Sequence, residues 1–248
     1  MNGITFYAFG SSPALMFAMK RLEQLGIAVT DKPGSDVTHC LLPIPTVCTP
    51  ELESMLKQLP ASVTLIGGNL PAELTEDYST IDLLQDPQHL AENAAITADC
   101  AMLRVRSCMP TTFRDTSALV LGWGRIGKCL AHLLRQAGAD VTVAARKESD
   151  IAMIQALGYR AEDIRKLHYG LLRYRVIFNT VPVPVITKQQ AAHCRKDCIL
   201  IDLASSPGIE GENVIVARGL PGKDAPESAG RLMARTIIRL LLGRECPS

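Results

Sequence analysis

Residues 118–147 read ALVLGWGRIGKCLAHLLRQAGADVTVAARK, and the order of residue types within them decides the fold. A short apolar run at 118–121 enters a turn in which Gly122, Gly124 and Gly127 form G-x-G-x-x-G. An amphipathic stretch follows to Ala137, Gly138 stops it, and a second apolar run occupies 141–145. Strand, tight turn, helix and strand in that order predict a dinucleotide-binding βαβ unit. Gly122 allows the tight turn, Gly124 lets the backbone approach a pyrophosphate, and Gly127 lets the helix pack closely on the strand. The helix N-terminus offers free N–H groups and the positive end of its dipole to the phosphates. Trp123, Arg125 and Ile126 lie within the same turn and are expected to line the cofactor with the glycines.

The acidic residue that would bind a ribose 2′-hydroxyl at the end of the second strand is missing, and the chain reads Ala144-Ala145-Arg146-Lys147 there. A carboxylate at that place repels a 2′-phosphate, whereas a guanidinium grips phosphate with parallel hydrogen bonds. Arg146 and Lys147 therefore predict NADP as the cofactor.

Composition narrows the remaining possibilities. The chain has 248 residues, enough for one large domain or two small ones, and 47% of them are apolar. A net charge of +1, with five Phe, five Tyr and one Trp, lacks the basic footprint and stacking platforms of a nucleic-acid binder. No apolar run is long enough to span a membrane, and the N-terminal stretch has no charged region before its apolar run, so a cytoplasmic location is expected. The cysteines, at 40, 48, 100, 108, 129, 194, 198 and 246, include no C-x-x-C pair. His193, Cys194 and Cys198 match no zinc spacing, so reduced thiols and no metal site are expected.

Outward from the glycine unit, apolar runs at 4–9, 27–30, 37–42 and 63–66 predict strands, with helical periodicity at 14–25 and 51–59. Residues 97–106 predict a helix passing between domains, with Asn93, Thr97 and Asp99 placed to face an interdomain cleft. Beyond the glycine unit come a helix at 151–157, strands at 176–181, 198–203 and 214–217, a short helix at 188–194, and a long amphipathic helix at 226–242. The loops after the three strands are 179–182, 204–208 and 218–223, on the side where open α/β sheets bind ligands. The predicted class is α/β, with two doubly wound Rossmann-like domains and mainly parallel sheets. The expected division is a flavodoxin- or Rossmann-like substrate domain at 1–95, an NADP-binding domain at 96–225, and a C-terminal helix at 226–248 packing back on the first.

The segments GWGRIG, VTVAAR, FNTVP, LIDLASSPG and ARGLPGKDAPESAG, with ENAAITAD upstream, together resemble the A-subunit family of dipicolinate synthase, from about Asn93 to the end. The resemblance implies a two-domain fold similar to the 2-hydroxyacid dehydrogenases and NADP-linked oxidation of dihydrodipicolinate to dipicolinate. It also implies a partner, the second, B-type subunit. Asp99 and Cys100 stand where the family has Glu and Gly, Ile96 replaces its Pro, and the loop at 10–13 lacks its Asp and Arg. Two other readings stay open: an NADP-dependent dehydrogenase of another small carboxylate, and a non-catalytic nucleotide-binding regulator. Homo-oligomerisation is expected, and neither nucleic acid nor membrane is a predicted partner.

For the site, Thr180, Val181 and Pro182 and then Leu203, Ala204 and Ser205 are expected to flank the cofactor. Ordinary strand-to-helix turns use the same residue types, and the glycine motif upstream favours contact. Lys223, in a stretch shaped by glycines and prolines, has no structural duty as a cation and is the candidate for a substrate carboxylate. Ser206 and Asp99 are the other catalytic candidates, with Glu227 and Ser228 weaker ones. His39 and His132 read as structural, and His168 and Tyr169 have no visible partner.

Overall fold

The computed structural model describes residues 3–167 and 170–243; His168, Tyr169 and Cys246 lie outside them. In chain order the elements are β1 (Thr5–Ala8), α1 (Pro13–Gln24), β2 (Ala28–Thr30), β3 (His39–Leu41), α2 (Pro50–Leu56), β4 (Thr64–Gly67), α3 (Ala72–Asp77) and β5 (Ser79–Asp82). Then come α4 (Pro87–Cys108), β6 (Ser117–Leu121), α5 (Arg125–Gln136), β7 (Asp140–Ala145), α6 (Glu148–Ala156) and β8 (Arg160–Asp163). The last group is β9 (Val176–Asn179), α7 (Lys188–Ala192), β10 (Ile199–Asp202), β11 (Val214–Val216), α8 (Leu220–Asp224) and α9 (Pro226–Leu242). The chain forms two compact units: residues up to Asn93 with those from Pro221 onward, and Ala94–Leu220 between them.

The first unit carries a five-stranded sheet in the order β2-β1-β3-β4-β5, with every neighbouring pair parallel. Successive side chains of a strand point to opposite faces, so the sheet builds two cores. Phe6, Leu41 and Ile66 bury one face against Leu15, Ala18 and Leu22 of α1 and Met233, Ala234 and Ile237 of α9. Cys40, Leu42 and Leu65 bury the other against Leu52, Met55 and Leu56 of α2. Helix α9 crosses α1 so closely that a Cβ on Gly230 would stand 2.5 Å from the Ala14 carbonyl oxygen and 2.6 Å from the Phe17 Cβ.

The second unit carries a six-stranded parallel sheet in the order β11-β10-β9-β6-β7-β8. This is the doubly wound 3-2-1-4-5-6 order, which reverses direction between β6 and β9. Strand β9 is buried along its whole length, as a central parallel strand covered on both faces must be. On one face Leu119, Leu121, Ile177 and Leu200 pack with Ile186 and Ile209. The α/β class with two Rossmann-like sheets is therefore correct, and the sheets are parallel throughout.

Three local expectations need correction. The helix expected at 97–106 is the later half of the 22-residue helix α4, which starts ten residues earlier. Its start is set by Asp86, whose carboxylate accepts the His89 N–H at 2.7 Å, with Pro87 following. Strands β5 (STID) and β8 (RAED) were not expected from the sequence. Each pairs on one side only, and such edge strands tolerate polar residues that show no apolar alternation. Residues 220–223, at the end of the expected loop 218–223, lie in the one-turn helix α8.

Candidate functional site

The site of the second unit is built at the carboxyl end of β6. Gly122 has φ +102°, and its N–H donates to the Ala144 carbonyl of β7 at 2.9 Å, which turns the chain off the sheet. A Cβ there would stand 2.5 Å from the Thr180 Oγ1 and 3.0 Å from the Val181 Cγ2. A Cβ on Gly127 would run into the Gly122 carbonyl oxygen, so both residues must be glycine for the turn, α5 and the loop after β9 to close on each other. At Gly124 the situation is opposite: a Cβ would meet no atom within 4 Å. No described residue crowds that position, and glycine there leaves the backbone open to an approaching ligand.

Gly124 is also the N-cap of α5, and no side chain caps the helix. The Gly124 carbonyl accepts from the Lys128 N–H at 3.0 Å, so the N–H groups of Arg125, Ile126 and Gly127 precede the helical ladder. These donors sit at the positive end of the helix dipole, the arrangement that binds phosphate. Trp123 packs edge-on against Tyr159, with ring centroids 6.0 Å apart, and the Lys128 ammonium lies 5.7 Å from the indole centroid.

At the end of β7, Arg146 and Lys147 are exposed, and neither makes an ion pair with a described residue. The carboxylate next in the sheet, Asp163, faces Ala145 across the β7–β8 register. It is held by Arg165 at 2.7–3.1 Å, which keeps its pKa down to about 2. The strand end therefore presents two cations whose nearest sheet acid is already engaged.

The loops after β9 and β10 are fixed by a buried polar pair that the motif reading missed. Asn179 and Asp202 face each other in register and are 0% and 1% exposed. The Asn179 Nδ2 donates to the Asp202 Oδ1 at 2.8 Å and to the Val181 carbonyl at 3.0 Å, and its Oδ1 accepts the Val181 N–H at 3.0 Å. Asp202 also accepts N–H groups from Ala204 at 3.2 Å, Gly208 at 2.8 Å and Ile209 at 3.4 Å. A carboxylate buried this deeply is tolerable because every lone-pair direction finds a donor. The Thr180 hydroxyl donates to the Leu121 carbonyl at 2.8 Å and ties the β9 loop to the glycine turn. The available signal for the pair was an acid closing the apolar run ILID.

The residues expected at the cofactor divide by burial. Thr180 and Val181 lie against the glycine turn, while Pro182, Ser205 and Ser206 are exposed. Leu203 and Ala204 are 6% and 4% exposed, so the sequence places them at the loop but the fold buries them. Asp99 is exposed on α4, and its charge, after burial, helps push the Cys129 thiol of α5 upward in pKa. That places Asp99 near the glycine-motif helix within the second unit. Lys223 is exposed on α8, in the part of the chain that belongs to the first unit. Glu227 is paired with Arg231 at 2.6 Å in the first turns of α9, and Ser228 beside it is exposed. His39 stacks on Phe6 with centroids 5.0 Å apart, and His132 is exposed on α5. The described residues hold no group of three or more His, Cys, Asp or Glu able to bind a metal, and no helix long and apolar enough to cross a membrane.

Comparison with known proteins agrees with this architecture. The model of the ketopantoate reductase PanE/ApbA family matches residues 118–188, from β6 to the start of α7. The A subunit of dipicolinate synthase from Bacillus subtilis (strain 168) is 29% identical over 138 residues. That match spans 52% of this chain and 46% of the relative, so about half of each is aligned. The crystal structure of the dipicolinate synthase A subunit from Bacillus halodurans superposes with a TM-score of 0.83 at 24% identity, covering 97% of this chain and 98% of that one. Its counterpart from Bacillus subtilis gives 0.82 at 19% identity, covering 98% and 97%. A transhydrogenase from Sinorhizobium meliloti gives 0.74 at 13% identity, covering 97% and 92%. The structures attest the fold, and the curated relative bears out the resemblance read from the loop segments.

Proposed function

We propose that this chain is an oxidoreductase of the dipicolinate synthase A-subunit type, using NADP to oxidise dihydrodipicolinate to dipicolinate. The observation that carries the reading is the turn at Gly124: a backbone left open, an uncapped helix N-terminus, and two cations without acid partners at the next strand end. The fit to a dinucleotide is good. The N–H groups of Arg125, Ile126 and Gly127 would hold the pyrophosphate, and Arg146 with Lys147 the 2′-phosphate. The loops at 180–182 and 203–205 would border the rest of the cofactor. When bound, NADP supplies the hydride acceptor.

The chain's own residues then bind and orient the substrate. Lys223 is the proposed partner for a substrate carboxylate, and Ser206 and Asp99 are the proposed polar groups for orientation and proton movement. By analogy with the relative, which is named as one lettered subunit of its synthase, a B-type subunit is the proposed partner. Asp99 and Cys100, where the family has Glu and Gly, favour one alternative, an NADP-dependent dehydrogenase of another small carboxylate.

The test incubates the chain, alone and with a B-type subunit, with NADP⁺ and dihydrodipicolinate. Formation of dipicolinate with an equal amount of NADPH is expected. NADPH binding without turnover of this substrate, in the presence of a verified partner, would leave the alternative.

A further inference from the structure

Arg218 closes the row of loops at the carboxyl ends of β9, β10 and β11. The residue before it, Ala217, donates its N–H to the Asp202 carbonyl at 2.8 Å, and Gly219 after it turns the chain with φ +66°. The Arg218 Nε donates to the Ala204 carbonyl at 2.9 Å, which fixes the guanidinium against the loop that holds Ser205 and Ser206.

Arg106, Arg114, Arg125, Arg135 and Arg146 of this unit make no ion pair with a described residue, but all five are exposed to water. Arg160, Arg165, Arg173, Arg175 and Arg195 are each paired with a carboxylate. Arg218 is half-buried, and its terminal nitrogens bond no described residue. The nearby buried acid, Asp202, spends its oxygens on Asn179, Ala204, Gly208 and Ile209. A cation drawn partly out of water and left without an acid is a cost to the fold. With Nε committed to the backbone, its two Nη groups remain as coplanar donors, the fork that grips a carboxylate end-on.

We propose that Arg218 binds a carboxylate of the substrate beside the loop at 203–208, so that the substrate class is a carboxylate held by a guanidinium in this unit. The inference rests on the oxidoreductase reading above and adds a residue that the motif comparison did not single out. An anion at this place could come from the substrate or from a cofactor phosphate, and the experiment separates the two.

NADPH is titrated into the full chain and into Arg218→Gln and Arg218→Lys, with Trp123 fluorescence as readout. Pyridine-2,6-dicarboxylate and the uncharged pyridine-2,6-dicarboxamide are then titrated into each NADPH complex. For Arg218→Gln, NADPH affinity is expected to stay within about twofold and dicarboxylate affinity to fall about tenfold or more. Its preference for dicarboxylate over dicarboxamide should vanish, with partial recovery in Arg218→Lys. Unchanged dicarboxylate affinity, or no dicarboxylate binding by the unaltered complex, would overturn the proposal while leaving cofactor binding intact. A loss confined to NADPH affinity would overturn it in favour of a cofactor phosphate. Absence of NADPH binding to the unaltered chain would instead remove the oxidoreductase reading, and this proposal with it.

Discussion

At Gly127 a methyl group would run into the Gly122 carbonyl, whereas at Gly124 it would meet open space. Two glycines of one motif thus serve different ends, and substitution separates them. Gly127→Ala should destabilise the fold by about 1–3 kcal/mol, because a backbone carbonyl cannot yield as a flexible side chain can. Gly124→Ala should cost no more than about 1 kcal/mol, from the poorer N-cap that alanine makes, since its φ of −79° suits alanine and nothing crowds the site. It should nevertheless weaken NADPH binding about tenfold or more, the new methyl standing where the pyrophosphate approaches. Denaturation midpoints and NADPH titrations on both variants check this. Gly124→Ala with full affinity would mean that no dinucleotide uses the turn.

Between elements, the contact of α4 with α9 in the first unit carries a pH dependence. The His89 Nδ1 lies 3.0 Å from the Thr236 Oγ1, and the ring is 3% exposed. Burial pushes the His89 pKa below its ordinary value, and the Arg239 cation acts the same way; Asp86, Glu92 and Asp82 oppose them, and burial prevails. The folded pKa is thus below the unfolded one, so in the window between them the unfolded chain binds more protons. Stability is full above about pH 6.5 and is lost as pH falls through the folded pKa of His89. His89→Gln, which can keep a hydrogen bond to Thr236, should flatten the fall in denaturation midpoint between neutral and mildly acid pH. His39, also lowered by burial, keeps part of the slope. An unchanged slope would contradict the assignment.

The same scale explains which elements the sequence made legible. β6, α5 and β7 declared themselves because glycines, a helical period and apolar runs follow in an order that few structures share. β5 and β8 did not, because an edge strand of four polar-leaning residues has no face to pattern. The start of α4 was written in Asp86-Pro87, a cap signal that the mixed polarity after it obscured. Of the site, the glycine turn and Arg146 were visible as motif positions. The Asn179–Asp202 pair and Arg218 were not, since their meaning lies in hydrogen bonds between strands 23 residues apart and loops 14 residues apart.

For the whole molecule, two parallel sheets are completed by different parts of the chain, the first by α9 returning from the C-terminal end and the second by its own crossover helices. In the second sheet the order reverses between β6 and β9, and the glycine turn, the polar pair and Arg146 all stand at strand ends beside that reversal. The central proposal is that these strand ends hold NADP rather than NAD. Titration of NADPH and NADH into the chain, followed by Trp123 fluorescence, tests it most directly. A 2′-phosphate gripped by charge-assisted hydrogen bonds gains about 1.5–3 kcal/mol, or about 10- to 100-fold in affinity for NADPH. Arg146→Asp should erase or invert that preference. Equal affinities for the two cofactors, or no binding of either, would contradict the account.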